Sequence, residues 1–278
     1  MNNSLEIFSN AHTLTSMNVI DHKFHQQRSV GRVELGVSAR GLQHMREEGS
    51  AKVRFPFGGH QAILINTGGG LAGGDDFKYK IEAGVNSKLR VTSQAAERVY
   101  RTLGPVAHVH TSIVVKENAE LFWLPQETIL FDRSALLRTL HVNLEKTSRF
   151  IAVEPVIFGR PEANEKISNI SFRDSWRIRV DGRLIYADDI ALEGLPPKSK
   201  ATLNGATAMA TVVCVFQNCE NLLEPLRAVL GENCAASAWN GKLVARLVAK
   251  DGFELRKSLI AALAVLCGTA QLPKLWTL

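Results

Sequence analysis

Nothing in this chain is apolar for long enough to enter a membrane as a helix: no run in its 278 residues reaches the ~18 consecutive apolar positions of a spanning segment. The opening MNNSLEIFSNAHTL lacks both a basic start and an apolar centre, so no signal peptide is expected there. Cysteine is scarce and late. Cys214, Cys219, Cys234 and Cys267 fall in the last quarter without C-x-x-C spacing. That argues against a structural zinc site and for reduced, mostly buried thiols in a cytoplasmic protein. Catalytic signatures are missing as well: there is no G-x-S-x-G elbow, no H-E-x-x-H and no Cys/His pairing of a known kind. With three Tyr and four Trp, few rings are available to stack on sugars. No sign of charge dominates either. The 33 Lys and Arg against 27 Asp and Glu leave +6, scattered, and the nearest approach to a cluster is Arg173, Arg177, Arg179 and Arg183. That suits an acidic protein partner or plain solubility better than a nucleic-acid groove.

What is present is ordinary globular material, 45% hydrophobic, organised around one unusual stretch, RFPFGGHQAILINTGGGLAGGDD from Arg54 to Asp76. A strand-like run at Ala62–Ile65 leads into five glycines within seven positions, Gly68 to Gly74, closed by Asp75 and Asp76. So many glycines imply backbone in positive φ or in close approach to other backbone. A phosphate loop would end in Lys and Ser/Thr, and a dinucleotide loop would open a helix. Here two acids follow, and Phe77–Glu82 alternates like a strand. A strand–loop–strand is expected.

Residues 1–27, with His12, His22 and His25, read as a loosely ordered tail. Gly31–Ala39 alternates as a strand, with Val33, Leu35 and Val37 on one face, and the polar Leu42–Glu48 reads as a loop. Three similar units follow at about 30-residue spacing, each a strand, a turn and then LRVTSQ (Leu89–Gln94), LFWLPQ (Leu121–Gln126) or FIAVEP (Phe150–Pro155). A coiled, solenoid-like β body explains this better than β/α units, with a hairpin β-sandwich as the alternative. Gln94–Arg101 is a short helix candidate. Trp176–Asp188 is a hairpin around Asp181–Gly182, a pair suited to a type I′ turn. The Leu195–Ala201 loop separates a β-rich body, 28–195, from a C-terminal α+β part, 196–278, packed on it in the same domain. That part holds strands at Ala208–Phe216 and Lys242–Ala249 and helices at Leu222–Leu230 and Glu254–Leu266, the latter capped by Gly268. The apolar excess of the last helix and of Leu272–Trp276 makes them candidates for a partner-facing surface, or for a cover over the sheet.

Candidate chemistry is confined to a few side chains. His108 and His110 form H-x-H on one strand face and could share a metal, although paired surface histidines are far commoner. Asp75, Asp76, Glu127, Asp132, Glu154 and Asp188 sit in tight loops or beside apolar strand residues, where carboxylates are rarely left unpaired. Each either pairs with Arg or caps backbone N–H groups, or the set lines a route for a divalent cation. Acid–base catalysis by paired carboxylates, as in a carbohydrate-active enzyme, is the competing reading.

Six segments in order resemble the family of urease accessory protein UreD, also called UreH. They are INTGGGLAGGD at Ile65–Asp75, TSQAAERVYR at Thr92–Arg101, WLPQETILF at Trp123–Phe131, EPVIFGR at Glu154–Arg160, DSWRIRVDGRLIYAD at Asp174–Asp188 and LPKLW at Leu272–Trp276. The resemblance implies a mainly β fold, a flattened β-helix-like body of short strands with a few helices near the C-terminus. It also implies a scaffold rather than an enzyme. Such a protein binds UreF, recruits through it the nickel-carrying GTPase UreG, docks on apo-urease and lets nickel pass through its interior, with a homodimer of the whole accessory complex as a further expectation. It implies no tightly bound cofactor, only transient nickel(II). Carboxylates suit such a conduit, because strong chelation would trap the ion. Asp75, Asp76, Glu154 and Asp188 are the expected stations.

Overall fold

Apolar residues recur at every second position over most of this chain, and that spacing lays one face of each extended segment into a core. The computed structural model describes residues 28–56, 60–160, 165, 167–268 and 272–276; the expected tail at 1–27, with its three histidines, lies outside them. The chain enters through β1 (Val30–Ser38) and β2 (Gly41–Gly49), then crosses at Ser50 into β3 (Ala51–Arg54) and β4 (Gln61–Asn66). It next coils between two sheets: β5 (Asp76–Ala83), β6 (Lys88–Ser93), β7 (Glu97–Val99), β8 (Ala107–Val115), β9 (Glu120–Trp123), β10 (Thr128–Leu130), β11 (Ala135–Leu144) and β12 (Arg149–Phe158). The hairpin β13 (Ile170–Val180) and β14 (Arg183–Gly194) follows, then β15 (Ala208–Val215), α1 (Leu223–Val229), β16 (Ala235–Trp239), β17 (Lys242–Ala249) and α2 (Gly252–Cys267).

The first sheet runs β14-β13-β11-β8-β5-β1-β2 and the second β16-β17-β15-β12-β9-β6-β4-β3, with β7 and β10 forming a short side next to β12. Strands β5, β8, β11 and β13 are parallel neighbours in one sheet, and β4, β6, β9 and β12 in the other. The sequence repeat is this coil. Leu89 pairs with Leu121 and Leu121 with Phe150, so equivalent residues of successive units stack. The corners repeat too, with left-handed Asn86 (φ 58°) and Asn118 (φ 54°) turning β5 into β6 and β8 into β9. A mainly β, solenoid-like body with helices late in the chain is the observed architecture.

Two expectations are corrected. Leu42–Glu48 is not a loop but most of β2, an edge strand paired with β1; its side chains face solvent on both sides, so no apolar alternation marks it. Gln94–Arg101 is not helical: Glu97–Val99 form β7, captured by β10, while Leu71 N–H donates to Arg98 O at 2.7 Å. Long-range pairing overrides the helical preference of the two alanines there. The hairpin turn behaves as its residues require, with Asp181 at φ 48° and Gly182 at φ 78°.

One apolar core lies between the sheets, with Phe77, Phe150, Phe172 and Trp176 fully buried. Each such ring contributes about 1.5–3 kcal/mol through burial. A second core lies between the outer face of the second sheet and the helices, where Leu255, Leu259, Leu263 and Leu266 of α2 meet Ile151, Val153, Val212 and Leu247. The tail segment closes this core: Trp276 is fully buried and its Nε1–H donates to Leu124 O at 2.9 Å. The buried faces of α2 and Trp276 therefore cover the sheet and are not a free docking surface. All four cysteines are unpaired, and three are buried.

Candidate functional site

Three inward-facing strand positions carry charge where their neighbours are apolar. Arg138 lies between Leu136 and Leu140 on β11, Glu154 between Ala152 and Val156 on β12, and Asp174 between Phe172 and Trp176 on β13. Parity forces all three into the space between the sheets. Arg138 and Asp174 are register partners, and the guanidinium grips Asp174 with both arms, Nε to Oδ1 at 3.1 Å and Nη2 to Oδ2 at 2.7 Å. Its remaining nitrogen, Nη1, reaches Glu154 Oε2 at 2.6 Å and Thr128 Oγ1 at 3.0 Å. Trp123 Nε1–H donates to the other Glu154 oxygen at 2.8 Å, and Trp176 Nε1–H donates to Asp174 at 3.2 Å. The layer continues sideways: Glu154 pairs in register with Thr211 and Thr211 with Arg246, and Arg246 bonds both Thr211 and Asp188. Burial pushes the Glu154 carboxyl above its usual range, against the pull of Arg138.

Beside this layer opens a cavity of about 320 Å³, walled by Tyr79, Trp123, Leu136, Arg138 and Glu154 and rimmed by Gly69, Gly70 and Ser93–Glu97. The rim explains the glycines. A Cβ on Gly70 (φ 149°) would meet the Tyr100 ring at 2.4 Å and Arg98 O at 2.7 Å, while Tyr100 O–H donates to Gly69 O at 2.8 Å. The loop is pressed flat against β7. Asn66 holds it from inside, donating to Gly70 O at 3.0 Å and to both oxygens of Glu97 at 3.2 and 3.3 Å. Burial of the Glu97 carboxyl pushes its pKa up to about 7.

The four expected carboxylates are placed differently from one another. Glu154 lines the cavity. Asp75 is buried as a turn cap, accepting from Ser29 N–H at 2.7 Å and Ala72 N–H at 2.8 Å. Asp76 lies on the outer side of the first sheet, bound by Arg32 at 2.6 Å. Asp188 joins the layer through Arg246 and is no part of the cavity wall. Of the other carboxylates, Glu127 is claimed by Arg256 at 3.0 Å and Asp132 caps Ser168 and Asn169. Among the described residues no three His, Cys, Asp or Glu side chains are grouped as a metal site. Sequence reasoning missed Arg138, Asp174, Arg246 and Glu97. The first three break an apolar alternation and could have been found that way; Glu97 lies in text that favours a helix.

The coiled two-sheet body, with a cavity between its sheets lined in part by Glu97 and Glu154, defines the class: a β-solenoid protein. The model of the UreD urease accessory protein family matches residues 29–277, and the chain belongs to that family. It is 44% identical over 263 residues to the urease accessory protein UreD of Agrobacterium fabrum, covering 91% of this chain and 93% of that one. It is 41% identical to the UreD proteins of Mesorhizobium japonicum, over 267 residues covering 91% and 95%, and of Rhizobium etli, over 273 residues covering 94% and 100%. Membership gives the chain a role in urease maturation as an accessory protein rather than a catalyst, and sets aside the carbohydrate-active alternative.

Proposed function

We propose that the chain acts in the cytoplasm as a scaffold that binds UreF, recruits the GTPase UreG through it, docks on apo-urease and passes nickel(II) through its interior. The supporting observation is a pair of carboxylates on one cavity. Glu97 and Glu154 both line it and Asp174 backs it; of the two arginines that line it, Arg138 is already gripped by Asp174 with both arms, and Arg98 is exposed beside Glu97 at the rim. Burial penalises the charged form of both glutamates, so they favour a divalent ion or bound protons. Nickel(II) accepts oxygen ligands, and so sparse a set holds it loosely enough to let go.

In this reading Glu97 receives the ion at the glycine rim, exchanging its proton for metal near neutral pH. Glu154 accepts it next, with Trp123 N–H holding one carboxylate oxygen in place. Asp75 and Asp188 keep the walls in position through the turn cap and the Arg246 pair, and Asp76 ties β5 to Arg32 of β1. Removing both lining charges as Glu97→Gln/Glu154→Gln should lower the nickel content of urease activated by the reconstituted accessory complex. The complex itself should still co-elute. Full nickel loading by the double variant overturns the route.

A further inference from the structure

The face of the first sheet that looks away from the cavity carries a second constellation. His110 of β8 and His141 of β11 stand edge to face with ring centroids 5.2 Å apart at 83°. They come from parallel neighbouring strands, where His110 pairs in register with Thr139 and His141 with Ser112. The Thr139 hydroxyl is hydrogen-bonded to His110 Nδ1. When Nδ1–H donates to that hydroxyl, the Nε2 lone pair is left free, as in histidines whose second nitrogen is held by an outer partner.

We propose that His110 and His141 form a two-imidazole site for a borderline divalent transition-metal cation, separate from the interior cavity. The surroundings decide which ions qualify. Arg177, register partner of His141, is neutralised by Asp189 at 2.8 Å, and Lys78, register partner of His110, sits 3.6 Å from Asp76. Arg179 remains the charged neighbour without a carboxylate partner among the described residues. No carboxylate joins the pair, so an ion that binds by charge alone gains nothing here. Copper(II), nickel(II) and zinc(II), which form strong bonds to imidazole, qualify; magnesium and calcium do not. Water completes the coordination sphere, and the site exchanges its ion readily.

The test is titration of the full chain with copper(II), read by the nitrogen hyperfine pattern in electron paramagnetic resonance, with nickel(II) followed by calorimetry. The wild type should show a bound ion with two equatorial imidazole nitrogens. His110→Ala and His141→Ala should each remove that two-nitrogen species, and Thr139→Val should weaken it by about tenfold. These are partly exposed strand positions, so the variants keep the fold, which circular dichroism checks. A two-nitrogen signal that survives His141→Ala overturns the proposal. So does its loss in Glu97→Gln/Glu154→Gln, which would place the ion in the interior; retention there supports the outer site whatever the fate of the nickel route.

Discussion

Two interiors lie back to back across the second sheet, and β12 builds both. Its Ile151 and Val153 enter a core that is almost wholly apolar, sealed by α2 and Trp276, while its Phe150, Ala152 and Glu154 face a core interrupted by charge and by a cavity. The helical side needs only area, so any well-packed apolar set would serve. The space between the sheets holds a guanidinium and carboxylates that stability alone does not call for, since buried ion pairs are often replaceable by apolar residues without loss. Stability explains the first interior and does not by itself account for the second.

The largest expected effect tests that contrast directly. Arg138→Met leaves Asp174 and Glu154 buried without their cation and should cost about 3–5 kcal/mol in urea unfolding. Replacing all three together by apolar residues should recover most of that loss and still abolish nickel loading of urease. Recovery of loading as well would make the layer a structural device. Next, Leu259→Ala in the helical core should cost about 3 kcal/mol in the same assay through lost burial and a residual cavity. Its nickel transfer, measured where the protein stays folded, should match the wild type.

A smaller effect should appear with pH. The Glu97 carboxyl titrates at about 7 in the folded protein against an ordinary 4.5. The folded state then holds this proton more tightly than the unfolded state, so the stability linked to it is full below pH 4.5 and is lost as pH rises through about 7. Thermal melts should show a wild-type decline of about 1–2 kcal/mol across that window, after screening at the rim, and Glu97→Gln should flatten it. The smallest effect belongs to the helical side: Asp251 Oδ1 accepts from Glu254 N–H at 2.9 Å as the N-cap of α2. Asp251→Ala should cost about 1 kcal/mol in the same melts and leave the pH profile unchanged.

Much of the fold was legible because it rests on short-range pattern. Alternation placed β1, β13, β14 and β17, the Asp181–Gly182 pair placed the hairpin turn, and the 30-residue echo placed the parallel coil. The site was legible in part. Glu154 stands out as an acid in an apolar strand, but Arg138 and Asp174 gain meaning only when two strands from different coils bring them within 3.1 Å. Glu97 was hidden altogether, because three residues of edge pairing decide the conformation of β7 against its own local preference.

By itself, then, the sequence determined period, turn and family: which residues alternate, where glycine must bend the chain, and which motifs recur in order. Those are properties of neighbours along the backbone, set by sterics and by the two-residue repeat of a strand. Which acids share a cavity, which are spent on turn caps, and that two histidines meet on the far face were decided by the stacking of coils. Contacts between residues 16 or 36 positions apart, such as Arg138 with Glu154 and with Asp174, exist only once the register between strands is set. That register is fixed by the packing of whole sheets and by no single segment.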